Sequence, residues 1–133
     1  MSITADTAQA LVVAGMAHAA KNGHAVSLAV VDSGGFLKAF ARADKAGAYT
    51  ADVAIGKAYA VVFMNRSSAE LRDLAQARPQ FFDAIKNLGL RTLIPSPGGV
   101  SLPGGAIGVS GAADPEEDVE IAMAAIAAAG LAP

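Results

Sequence analysis

Residues 24–35, HAVSLAVVDSGG, constrain the fold more than any other stretch of this chain. Strand alternation places Val26, Leu28 and Val30 on one face and Ala25, Ser27, Ala29 and Val31 on the other. Both faces are apolar or small, so the strand is predicted to lie inside a sheet covered on both sides. Asp32-Ser33-Gly34-Gly35 is a turn signal, and FLKAFAR beyond it reads as an antiparallel partner.

Helical patterns supply the cover. Residues 4–22 form a helix that Thr4 can cap and that Asn22-Gly23 ends, with Leu11, Ala14, Gly15 and His18 along one stripe. Ala48 to Met64 is a second helix. Ser67-Ser68-Ala69-Glu70 is a capping-box pattern that opens a third, and Pro79 precedes one or two further turns. Asp114-Pro115-Glu116-Glu117 starts the last helix, with an N-cap Asp, proline at the first helical position and Glu at the third. That helix is expected to run to about Ala129.

Between residues 91 and 111 three short strands are expected: RTLIPSPGG, ended by Pro95 and Pro97, then VSL and AIGVSG around a Pro103-Gly104-Gly105 turn. The element order is α+β with an antiparallel sheet, because parallel neighbours would need a helical crossover between each successive pair. No linker or repeat divides the chain, so 133 residues are read as one domain.

The segment GGVSLPGGAIGVSG, residues 98–111, carries six glycines in fourteen positions, which raises the question of a phosphate loop. A P-loop needs lysine and Ser/Thr after its last glycine, and here alanine follows Ser110-Gly111. Gly105, Gly108 and Gly111 lack the spacing and the early βαβ position of a dinucleotide fingerprint. A hairpin of thin strands approached closely by another backbone is the structural alternative. Ser110 also stands just before a helix start that can receive an anion, although Asp114, Glu116, Glu117 and Asp118 already place negative charge there.

Composition excludes several function classes. The net charge is −2 with no basic stripe, so nucleic acid is not an expected partner. Cysteine is absent, which removes disulfides, thiolate metal sites and a cysteine nucleophile. No apolar run is long enough to span a bilayer, and the opening MSITADTAQA has no basic start or apolar core of a signal peptide. A cytoplasmic location without membrane contact is therefore expected.

Four segments in order, VVDSGG, FARADKAG, IGKAYA and GGVSLPGGAIGVSGAADPEED, resemble the GlcG/HbpS family, which includes the C-terminal domain of PduO-type proteins. The match runs from about Ile3 into the last helix. The resemblance implies a profilin-like fold, a five-stranded antiparallel sheet with helices on both faces, and a homo-oligomer. It also implies haem binding in some members, redox sensing in some, and association with catabolism in others. Iron-binding, redox-sensing members carry clustered His and Glu on the first helix; this helix has His18 and no Glu, so surface iron binding of that kind is not expected.

Individual residues leave several roles open. His18, on the apolar stripe, is either a haem ligand or a hydrogen-bonded core or interface histidine; His24 at the strand start is read as solvated. Lys57 is the only charged residue between Val53 and Asn65, flanked by Val53, Ala54, Ala60 and Val61. It snorkels to water, pairs with Asp32 or Asp44, or holds a substrate carboxylate. Arg42 and Arg66 would clamp an anion or pair on the surface with Asp44 and Glu70. No serine has a base partner visible in sequence.

The ligand-binding candidates are thus Arg42, Asp44, Lys57, Arg66 and Ser110, with His18 for haem. Three functions are carried forward. One is a small-molecule-binding homo-oligomer that takes haem or another anionic ligand. A second is a small catabolic isomerase, tautomerase or lyase acting on an anionic keto acid. The third is a structural or partner-binding subunit.

Overall fold

The computed structural model describes Met1–Pro133. Its elements are α1 (Ala5–Lys21), β1 (Ser27–Asp32), β2 (Leu37–Arg42), α2 (Tyr49–Met64), α3 (Ser68–Ala77), α4 (Pro79–Ile85), β3 (Gly99–Leu102), β4 (Gly105–Ser110) and α5 (Pro115–Ala128). The four strands form one sheet in the order β2-β1-β4-β3, and every neighbouring pair is antiparallel. Central β1 is set by its sequence: it pairs on both sides, and both of its faces are buried.

The predicted alternation holds. Val26, Leu28 and Val30 join Leu11, Val12, Ile107, Val109, Ile121, Ala122, Ala125 and Ile126 in the main core, under α1 and α5. On the opposite face Ala29 meets Ala54 and Ile55 of α2, and Val31 meets Ala58, Val61 and Ala106. The result is three layers, with helices on both sides of the sheet. Local chemistry fixes the ends: Thr4 accepts from the Thr7 amide, and capping boxes close at Ser67/Glu70 and Asp114/Glu117. In the β1–β2 turn, Asp32 Oδ1 accepts the amides of Gly34 and Phe36 at 2.9 and 3.0 Å.

The sheet has four strands, which corrects the expected five. Residues 91–97 form no ladder. Pro95 and Pro97 remove two donors from that stretch. The segment is instead pinned by Leu93, whose amide donates to the Lys86 carbonyl at 2.9 Å and whose side chain is buried with Tyr59, Ala60, Leu71 and Phe82. It crosses the outer side of α2 as an extended strap.

The glycine-rich hairpin is thin because a helix needs the space. Gly99 and Gly108 are cross-strand partners under α2. A Cβ on Gly108 would lie 2.7 Å from the Ala58 amide nitrogen, and one on Gly99 would lie 2.6 Å from the Lys57 carbonyl oxygen. Both obstacles are helix backbone, so α2 settles onto β3 and β4 only because these positions carry no side chain. The strap repeats this device outside: a Cβ on Gly56 would meet Ile94 at 2.5 Å and the Thr92 carbonyl at 3.1 Å.

Candidate functional site

The close seating of α2 determines what happens to its one internal charge. Lys57 is 2% exposed. Its ammonium donates to the Val109 carbonyl at 2.8 Å and to Asp118 Oδ2 at 3.2 Å. Asp118, 3% exposed in the first turn of α5, also accepts the Ala112 amide through Oδ1 at 3.0 Å. Burial pushes the lysine below its ordinary pKa of 10.5 and the carboxyl above its ordinary 3.8; their mutual attraction opposes both shifts. Gly98 (φ +131) leaves room for this pair, because a Cβ there would sit 2.9 Å from Nζ.

Lys57 neither snorkels to water nor pairs with Asp32 or Asp44, two of the readings the sequence left open; it is buried and its partner is Asp118. Asp118 lies 61 residues away in sequence. It has a visible signature, however: Asp118, Ile121, Ala122 and Ala125 fall on one helical stripe and all are buried. A carboxylate on an apolar stripe and a lysine in an apolar helix are complementary anomalies. With both groups sealed, the pair ties α2 to the end of β4 and the start of α5, and Nζ faces no cavity.

The other candidates divide by position. Arg42, Ser27 and Ser110 occupy one row across β2, β1 and β4, at the end of the sheet where α2 begins. Arg42 donates to the Ala46 carbonyl at 2.8 Å, and Ser27 shares a hydrogen bond with Thr50 at 2.9 Å. Ser110 is buried beside Val109. Asp44 is exposed in the loop after Arg42, with no cation within ion-pair distance. Arg66 lies beyond the far end of α2, roughly 24 Å of helix away from Arg42's row at 1.5 Å per residue. The fold thus puts Arg42 and Ser110 in one row at one end, Lys57 midway along α2 with its ammonium on Val109, and Arg66 beyond the other end.

A second arrangement lies along the seam between α1 and α5. Both histidines of the chain face carboxylates on α5. His24 Nε2 is 3.0 Å from Glu117 Oε2, and His18 Nε2 is 3.7 Å from Glu120 Oε1. Only the first is a hydrogen-bonding distance. The His18 side chain is 31% exposed and that of Glu120 is 70% exposed, so the imidazole edge reaches solvent. Ala14, one turn before His18, and Ala124, one turn after Glu120, are half-buried. Between them Gly15 packs against Leu28 and Ala125. Small residues thus let α1 and α5 approach closely beside the His18–Glu120 pair. Glu117 and Glu120 were not singled out in the sequence for this role, because only the packing of α1 on α5 brings them to the histidines.

An imidazole nitrogen free of a hydrogen-bonded carboxylate and open to solvent is a donor that could hold a haem iron. None of the cavities of the fold includes His18, so a single chain offers one face of such a site and not an enclosed slot. No three His, Cys, Asp or Glu side chains converge to hold a metal ion directly. No helix is long and apolar enough to cross a membrane.

Comparison with known proteins agrees with this architecture. A protein of Klebsiella pneumoniae, ORFY, superposes with a TM-score of 0.88 at 25% identity, over 98% of this chain and 92% of the other. The structure of a PduOC:heme complex gives a TM-score of 0.88 at 25% identity, over 99% and 98%. A double mutant of Streptomyces reticuli HbpS gives 0.82 at 30% identity, over 96% and 86%. Comparison with curated proteins gives no match. A family model described as haem degrading protein HbpS-like matches residues 3–127, and this chain therefore belongs to the HbpS-like family.

Proposed function

We propose that this protein is a small-molecule-binding subunit that takes haem on the α1–α5 seam, where His18 Nε2 would hold its iron. The observation that carries the reading is the contrast between the two histidines: Glu117 holds His24 at 3.0 Å, while His18 stands 3.7 Å from its nearest carboxylate and opens to solvent. The haem complex of a structural neighbour supports the choice of ligand. Haem would supply the iron. The chain would supply one nitrogen, with Ala14 and Ala124 as the small residues on the same helix faces. Lys21, in the last turn of α1 with His18, is a cation placed for a propionate.

With no enclosing cavity at His18, one chain alone would leave much of a bound haem's apolar area in water, which is disfavoured. We infer that a second copy covers it, so the working unit is a homo-oligomer, and the layered domain is the profilin-like one that the resemblance implies. Redox sensing and a catabolic setting, in the cytoplasm, are the roles consistent with such a subunit. The keto-acid enzyme reading has less support, because the lysine it relies on is sealed and paired.

Titration with hemin followed by absorbance tests the proposal. Wild type and His24→Ala are expected to shift the Soret band alike, and His18→Ala is expected to lose the shift. An unchanged Soret shift in His18→Ala, with circular dichroism showing a folded protein, would overturn the assignment. Light scattering checks the oligomer, and a monomer both with and without hemin would remove the covering copy.

A further inference from the structure

Outside the seam, one cleft combines shape with unpaired opposite charges. It lies between the first half of α2 and the strap that replaces the expected fifth strand. Asp52, Val53 and Gly56 form one wall and Leu90, Arg91, Thr92 and Ile94 the other, around about 360 Å³. That volume falls within the usual range of small-molecule sites, about 300–1,000 Å³.

The strap is held from both sides of the charged residue. Upstream, the Leu90 amide donates to Tyr59 Oη at 2.8 Å. Downstream, the Leu93 amide bonds Lys86 and its side chain is buried. Thr92 Oγ1 donates to Asn87 Oδ1 at 2.8 Å. Gly56 lets the strap lie against the helix at Ile94. The backbone carrying Arg91 is therefore fixed, while its side chain is exposed and makes no ion pair. Asp52, on the facing wall, is likewise exposed and unpaired, and it does not come within 4 Å of Arg91. Leu90 is 62% exposed at the same opening.

We propose that this cleft binds a small zwitterion with an apolar tail, of the α-amino-acid class: Arg91 takes the carboxylate, Asp52 the ammonium, and Val53, Leu90 and Ile94 the tail. A guanidinium receives a carboxylate through two parallel hydrogen bonds, which one oxygen of a water cannot match. Two opposite charges that line one cleft without pairing leave room for a molecule that carries both. The cleft shares no residue with the histidine seam, so its occupancy and haem binding stand or fall separately.

The test uses the full chain and L-leucine as the probe, followed by amide chemical shifts. Leucine is expected to move the amides of residues 52–56 and 90–94. 4-Methylpentanoate, which lacks the ammonium, and 3-methylbutylamine, which lacks the carboxylate, are each expected to bind about ten-fold more weakly. Arg91→Ala and Asp52→Ala, both surface changes, are each expected to weaken leucine about ten-fold without altering the fold. Equal binding of 4-methylpentanoate and leucine would overturn the zwitterion assignment. So would shifts confined to other residues, or none up to about 10 mM leucine, where a Kd of about 1 mM would be nearly saturated.

Discussion

The two faces of the sheet are built on opposite principles. Toward α1 and α5 the strands present Leu28, Val30, Ile107 and Val109, and the helices answer with Leu11, Ile121 and Ile126. Toward α2 they present Ala29, Ala106, Gly99 and Gly108, and the helix answers largely with its own backbone and with Ala54 and Ala58. The first face is filled by branched side chains that can shift by a rotamer. Much of the second is filled by peptide groups that cannot, with Val31, Ile55 and Val61 as its branched side chains. A close backbone contact leaves little apolar volume; the Ser27–Thr50 hydrogen bond is buried on this side, and Lys57 reaches from it to Asp118 of α5. Polar satisfaction is complete there, since no buried side-chain nitrogen or oxygen lacks a partner.

The largest expected effect comes from leaving the ammonium alone. Asp118→Ala removes the carboxylate from a lysine that is 2% exposed, and a broken buried pair of this kind costs about 3–5 kcal/mol. Urea unfolding should show it as a large drop in midpoint with little change in slope. The double variant Lys57→Met, Asp118→Leu should recover most of that loss, because apolar replacements need no solvation. A single variant that loses under about 1 kcal/mol would mean that water reaches the pair, and the two faces would then differ less than the packing implies.

Adding the same methyl group to each face sharpens the contrast. Gly108→Ala drives a Cβ against the Ala54 carbonyl and to 2.7 Å from the Ala58 nitrogen, so α2 must lift; overpacking of this kind costs about 3 kcal/mol or more. Gly15→Ala on the other side meets chiefly Leu28 Cδ1, the end of a flexible side chain, with Ala125 Cβ at 3.2 Å. The helix itself gains about 1 kcal/mol from replacing glycine, so the net change should be near zero. Thermal melting of the two variants decides the matter; equal losses would show that both faces yield alike.

How much of this was written in the sequence follows the same division. The branched face was legible: alternation in 24–31 placed Val26, Leu28 and Val30 correctly, and both capping boxes formed where Ser67/Glu70 and Asp114/Glu117 stood. Periodicity and caps are local, so local sequence carries them. The α2 face was harder to read. Glycine reports that space is needed without naming what occupies it, and Lys57 advertised a buried charge without naming Asp118. The strap at 91–97 looked like a strand because an extended apolar run has the same composition whether it pairs or crosses a helix. The seam around His18 depends on two helices meeting, and the cleft of Asp52 and Arg91 on that strap; neither leaves a local pattern.

The last effect is one of pH, and it is read from the ion pair, whose carboxylate also feels the charge of His24. Burial raises Asp118 above 3.8 in the folded chain, so the folded state binds the extra proton between 3.8 and the raised value. Its contribution to stability is present below 3.8 and is lost as pH rises through the raised value. Burial lowers Lys57 below 10.5, so in the window up to 10.5 the unfolded chain binds the extra proton, and stability is regained as pH rises through it. Subtracting the stability of the Lys57→Met, Asp118→Leu variant from that of wild type, pH by pH, should therefore leave a trough between the two windows. Neither limb can be steeper than about 1.4 kcal/mol per pH unit for one group. The trough is the desolvation cost of holding both charges out of water, and it coexists with the heavy penalty of removing only one of them. A dome in its place would mean that mutual attraction outweighs burial, and the backbone-packed face would then draw stability from its charges.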